Sequence, residues 1–407
     1  MNQIDTSQRI YFRNLDTLRF LAAYLIVCLH CFFGWKAFFG HPQVITENVS
    51  PAFLGRMETT VHNFSFGVDI FFIISGFLIT YLLLSEHKKT GRVDVMKFYI
   101  RRAFRIWPLY FLLILTGPLL TYFFLEQSPD YLYQFFFAGN FDVIHQGPKS
   151  VATDHLWSIC IEEHFYLFCP LLVAFIPAKK LPQVLLSIIA LSIIFRAYVS
   201  FRTQNYGMEI YMHTLSRIDV LALGSLLGYL HFYKKIKFNH SRGVRYILYA
   251  IFLGLFLLVD YNECGSLFAV TMKKYVFVIL VAYWAGNFLF HPQASFLRDK
   301  LSLFNRFGKA SYGIYMFNPV MIFLALKIFQ AFNWQNYFGF LLLSHSLLFA
   351  ITFISYRFFE VPFLALKERY AVIKSGDAVP AADDDADEDD SLLSEQKIIP
   401  LGKVDNI

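Results

Sequence analysis

Apolar stretches of about twenty residues recur along the chain, each closed by a short polar segment. They fall at about 15–35, 62–84, 106–125, 155–176, 183–200, 215–232, 245–261, 273–290, 309–331 and 337–358. Each approaches or exceeds the length at which a helix crosses a hydrocarbon core of roughly 30 Å. The pattern predicts an all-α fold, a polytopic membrane protein with about ten transmembrane helices. Alternate loops differ in charge. Lys88, Lys89, Arg92, Lys97, Arg101, Arg102 and Arg105 follow the second stretch, Lys179-Lys180 the fourth, and Lys234, Lys235, Lys237, Arg242 and Arg245 the sixth. Arg298, Lys300, Arg306 and Lys309 follow the eighth, whereas the intervening loops hold few basic residues. The positive-inside rule puts the basic set, and both termini, in the cytoplasm. No small-residue cleavage site follows the first stretch, so it is expected to be a retained helix rather than a signal peptide. Residues 126–154 form a polar, aromatic outer segment whose run 131–137 suits the membrane interface.

After Tyr370 the character changes. Asp383 to Asp390 is acidic throughout except for Ala386. Such a stretch cannot bury a core, so residues 371–407 are expected to form a disordered, acidic cytoplasmic tail behind a transmembrane domain at 1–370. Composition agrees: 57% of residues are hydrophobic, 16% are charged, and the mean hydropathy is +0.47. These values lie outside the range of ordinary soluble domains. The net charge of +6 does not point to nucleic acid, because the basic residues sit in short loops beside the spans. Cys28-x-x-Cys31 lies inside one apolar stretch with no second pair, so it reads as two small buried residues. No metal is expected.

Against this apolar background a few polar residues stand out. The first stretch carries Arg19 and His30, eleven positions apart, about 16 Å along a helix and near three full turns. Ionisable residues inside a span mark functional sites by default, although Arg19 could also snorkel to headgroups and His30 pack at the interface. Arg102 and Arg105 are three apart at the cytoplasmic start of the third stretch and share a helix face. Guanidinium groups bind phosphates through paired hydrogen bonds, so this face suits a phosphate-bearing ligand; the alternative is a plain topology anchor. Ser158, Glu162 and Tyr166 line one face at i, i+4, i+8. Glu163 lies about 100° away from Glu162, so only one of the two carboxylates should face that line. Ser216-Arg217-Ile218-Asp219 reads as a pair that compensates its own charge, and Asn318, Arg357 and Glu360 read as structural.

These residues fall into motifs. The chain resembles the integral-membrane acyltransferase type 3 family, whose members O-acylate cell-surface sugars. Arg19 and His30 resemble its Arg-x10-His pattern, and Phe71-Phe72-Ile73-Ile74-Ser75-Gly76-Phe77 its Phe-Phe-x-x-Ser-Gly-Phe. Arg102-Ala103-Phe104-Arg105 fits Arg-x-x-Arg, and Ser158, Glu162 and Tyr166 fit Ser-x3-Glu-x3-Tyr. Ser311-Tyr312-Gly313-Ile314-Tyr315 and Phe359-Glu360-Val361-Pro362 resemble the late motifs. The likeness covers about residues 13–365, with one departure: Asn318 stands where many members have a histidine.

The resemblance implies an acyl-CoA-dependent O-acyltransferase with acetyl-CoA as donor and a carbohydrate or glycolipid as acceptor. It would sit in the bacterial inner membrane, in contact with lipid. Arg102, Arg105 and Arg19 would hold the donor's phosphates. His30 would act as general base, a task that suits the ordinary imidazole pKa of about 6.5. Glu162 would orient His30 or help the proton leave, and Ser158 or Tyr166 would stabilise the oxyanion. Direct transfer is preferred to a covalent acyl-histidine. A transporter or polysaccharide exporter is the alternative, with Arg19, Glu162 and Arg217 along its pathway. No paired repeat of interrupted helices supports it.

Overall fold

The computed structural model describes residues 10, 12, 14–42, 49–124, 126–202, 206–236, 240–262, 265–290 and 302–375. Arg9, Arg13, Lys237, Cys264, Arg298, Lys300 and the acidic run of the tail lie outside the described residues. A long helix occupies each of the ten predicted stretches. These are α1 (Leu15–Phe39), α2 (Gly67–Thr90), α3 (Val95–Phe124), α4 (Trp157–Phe175) and α5 (Leu181–Arg202). There follow α6 (Thr214–Phe232), α7 (Arg242–Leu258), α8 (Lys274–Phe290), α9 (Ser311–Ala331) and α10 (Tyr337–Ser355). Among the described residues, 8 helical stretches are long and apolar enough to cross a membrane. The two that fall short are α6, whose Arg217 and Asp219 lower its hydropathy, and α7, which has 17 residues. The only β pairing among the described residues is an isolated bridge between Ile10 and Ser375.

Packing centres on α1, which lies against α2, α9 and the short helix Ser302–Lys309. The closest pairing is between α2 and α6, and glycine permits it. A Cβ on Gly76 would stand 2.0 Å from the Leu221 carbonyl oxygen, and one on Gly224 2.3 Å from that of Ile73. Gly228 repeats the contact one turn on, against Phe77. Small residues spaced by four let two helix backbones touch, the usual means of association where lipid supplies no hydrophobic drive.

Charges inside the bundle are paired between helices. Arg217 Nη2 donates to Asp69 Oδ1 at 2.5 Å, and the Tyr261 hydroxyl donates to the other carboxylate oxygen. Arg196 Nη1 donates to Asp219 Oδ2 at 2.6 Å, and Tyr275 donates to the same atom. Arg217 and Asp219 therefore do not neutralise each other, as their spacing suggested. Two positions apart, they lie about 200° around α6 and so point to different neighbours, α2 for Arg217 and α5 for Asp219.

The basic end of α3 is fixed from two directions. Asp94 Oδ1 accepts from Lys97 N at 3.0 Å, a helix cap, and that bond holds the Asp94 carboxyl below its usual range. Arg101 binds Glu86 at 3.0 Å and the Tyr370 carbonyl at 3.0 Å. Tyr370 stacks on Phe104, so the short helix Val361–Arg369 lies along the start of α3. In the 126–154 segment the aromatic run is divided. Phe136 is exposed, whereas Phe137 stacks on the buried Tyr110 at 4.4 Å.

Candidate active site

A cavity opens between α1, α2, α3, α4 and α9, with about 740 Å³ of unfilled space including its mouth. Six of the seven residues singled out from the sequence line it: Arg19, Arg102, Arg105, Ser158, Glu162 and Tyr166. Each reaches it by helical spacing. Arg102 and Arg105 share one face of α3, and Ser158, Glu162 and Tyr166 share one face of α4. Glu163 points elsewhere and accepts from Trp107 Nε1 at 3.2 Å, so one carboxylate of the adjacent pair faces the cavity. Ser75, Tyr312 and Tyr315 also line it. Ser75 stands in the Phe-Phe-x-x-Ser-Gly-Phe motif, and Tyr312 and Tyr315 in the late Ser-Tyr-x-x-Tyr motif, to which no roles attach from residue type alone. Tyr312 and Tyr315 are three apart, the same facing spacing as the arginines, and that signal was available.

One end of the cavity is cationic. Arg19 pairs with Asp16 at 3.0 Å. The Arg102 guanidinium lies over the rings of Tyr166 at 5.6 Å and Phe98 at 5.5 Å. Neither Arg102 nor Arg105 has a carboxylate partner within ion-pair distance among the described residues. Two half-buried guanidinium groups with donors to spare form a site for an anion.

Glu162 is the cavity's acid. Its Oε1 accepts from Ser75 Oγ at 3.0 Å and its Oε2 from the Tyr166 hydroxyl at 2.6 Å. Proton accounting then constrains the hydroxyls. Tyr166 uses its proton on Glu162. Tyr315 donates to the His155 carbonyl at 3.0 Å, so the 2.7 Å contact between Ser158 and Tyr315 is donated by Ser158. Tyr312 donates to the Ile106 carbonyl at 2.8 Å. Ser158 and Tyr166 thus hold no spare proton as the site stands.

His30 is the residue that the cavity does not include. Its Nδ1 meets Asn318 Oδ1 at 2.6 Å. Asn318 lies three residues beyond Tyr315 on α9, so His30 sits past the Tyr315–Ser158 pair as seen from the arginines. His155 lies on the same level, its Nε2 at 3.1 Å from the Met316 carbonyl. The partner of His30 is therefore Asn318, while Glu162 is held by Ser75 and Tyr166. Among the described residues no group of three His, Cys, Asp or Glu side chains is placed to hold a metal ion. Cys28 and Cys31 are free thiols.

A helical membrane bundle with an arginine-bearing cavity and a half-buried histidine beyond it defines a class, and comparison with known proteins gives that class a family. The model described as "Acyltransferase domain" matches residues 12–357, and the chain belongs to this acyltransferase family. Among its relatives is O-acetyltransferase OatA of Staphylococcus aureus strain NCTC 8325, 29% identical over 325 residues. That match covers 73% of this chain and 52% of the relative. OatA of strain MRSA252 matches to the same extent, 29% over 325 residues with the same coverage. The chain thus spans about half the length of the curated relatives it matches. No solved structure matches it.

Proposed function

We propose that this protein is an O-acyltransferase of the bacterial inner membrane. It takes an acyl group, acetyl in the first instance, from cytoplasmic acyl-CoA and passes it to a hydroxyl of a cell-surface or lipid-linked sugar. The observation that carries this reading is the convergence of Arg19, Arg102 and Arg105 on one cavity, two of them without a carboxylate partner among the described residues. A coenzyme A donor presents phosphates to such a site, and its pantetheine arm is long and slender enough to follow the cavity inward.

His30 acts as general base. It takes the proton of the sugar hydroxyl as the oxygen attacks the thioester carbonyl carbon. The C–O bond forms, the C–S bond breaks, and the imidazolium returns the proton to the departing thiolate. Transfer is direct, with no acyl-histidine. Glu162, held by two hydroxyls, relieves the mutual repulsion of the arginines when it is ionised. Ser158 becomes an oxyanion donor only when it lets go of Tyr315, which ties its part to the arrival of substrate.

The test is transfer of labelled acetyl from acetyl-CoA in membranes carrying the wild type or His30→Ala, with the host's envelope glycans as acceptor. Label in glycan with the wild type and none with His30→Ala is the expected result. Label with both proteins removes His30 as the base. Label with neither, across acceptors, favours a transporter.

A further inference from the structure

Helix α9 contains Pro319, which has no backbone N–H. In a regular helix that N–H would bond to the carbonyl four residues back, that of Tyr315. The orphaned carbonyl finds another donor: Asn318 Nδ2 reaches Tyr315 O at 2.6 Å and Ile314 O at 3.2 Å. Both contacts are to carbonyl oxygens, which only accept, so the amide nitrogen must face them. Oδ1 is then turned toward His30 Nδ1, 2.6 Å away. An amide oxygen also only accepts, so the proton of that bond belongs to Nδ1. Neutral imidazole carries one N–H, and Nε2 is left with its lone pair. Nε2 has no hydrogen-bond partner among the described residues.

We infer that Asn318, its amide oriented by the helix break at Pro319, is the positioning residue that holds His30 in the Nδ1–H tautomer and presents Nε2 as the basic atom. This rests on the reading of His30 as general base. The chain uses a backbone defect as the reference for a proton. A missing N–H on α9 sets an amide, and the amide sets an imidazole on α1, 288 residues away. The proposal also gives Asn-Pro at 318–319 a reason beyond bending the helix.

The rival account is that Asn318 merely caps the Tyr315 carbonyl. Two variants of the full chain separate them. Asn318→Leu removes both the cap and the acceptor. Asn318→Leu with Pro319→Ala gives the Tyr315 carbonyl a backbone donor again and still leaves Nδ1 without its acceptor. The double variant is expected to reach the membrane at wild-type level and to transfer acetyl from acetyl-CoA at least about tenfold more slowly, through kcat with KM unchanged. In ¹⁵N-histidine spectra of the protein in lipid, the signal lost in His30→Ala should report Nδ1–H in the wild type and shift toward Nε2–H in the double variant. A wild-type rate in the double variant overturns the proposal, and so does an Nε2–H signal for His30 in the wild type. Transfer that survives His30→Ala removes the base reading, while the spectrum still decides the tautomer.

Discussion

Arg102 stacks on Tyr166, and Tyr166 holds Glu162, so a guanidinium, a ring and a carboxyl group form one column in the cavity wall. If Arg102 binds the donor's phosphates as proposed, removing it takes away one of their hydrogen-bond donors while the column's other members keep their contacts. A hydrogen bond to a charged group contributes about 1.5–3 kcal/mol, so Arg102→Ala should raise KM for acetyl-CoA roughly tenfold or more. Arg102→Lys keeps the charge and loses the fork, and it should fall between the two. Steady-state kinetics in membranes checks both. Glu162→Gln leaves the shape and removes the balancing charge. One of its two oxygen positions then becomes a donor facing either Ser75 or Tyr166. Lower kcat is expected, and a KM for acetyl-CoA that does not rise. Much of this column was legible in the sequence, because its members share helix faces at fixed spacing. The partner of His30 was not. It lies on another helix 288 positions away, and nothing in residue type says that an amide outcompetes a carboxylate for it.

On the scale of elements, the meeting of α2 and α6 is the contact least able to adjust. A side chain on Gly224 would meet the Ile73 backbone, which cannot swing aside as a flexible side chain does. Gly224→Val should therefore lower thermal stability in detergent by more than the 1–3 kcal/mol typical of an overpacked core. Gly254→Ala, on α7 with nothing within 4 Å of its Cβ position, should be neutral or slightly stabilising. Fluorescence-detected melting of the two variants checks the pair. The positions of all ten long helices were legible as apolar stretches. The pairing of α2 with α6 was not, since Gly224-x3-Gly228 is a weak signal until Gly76 is found opposite it. The Arg217–Asp219 spacing pointed to the wrong partners for the same reason: sequence proximity says little about which neighbouring helix is closer.

For the whole molecule, the loops give an orientation that can be measured. Single cysteines placed beside Lys89, Lys180 and Lys235 in a cysteine-free chain should be shielded from an impermeant thiol reagent in intact cells. Cysteines beside Lys149 and Asn333 should react. Reaction of the first set would invert the topology and put the arginine end of the cavity on the outside, away from a cytoplasmic donor. Ending the chain at Ser375 keeps the bridge to Ile10 and removes the acidic run, and transfer should be unchanged.

The pairing of Arg217 with Asp69 and of Arg196 with Asp219 bears on how the protein is made. On the insertion scale Arg and Asp cost about 2.5–3.5 kcal/mol each at a helix centre and less toward an end, against about 0.3–0.6 returned by each strongly apolar residue. Left alone at the translocon, α6 would enter lipid less readily than its neighbours, even with its two charges in the first two turns. Its partners are already there: Asp69 on α2 and Arg196 on α5 both leave the ribosome before it. The order of synthesis therefore supplies a protein partner for each charge that α6 carries.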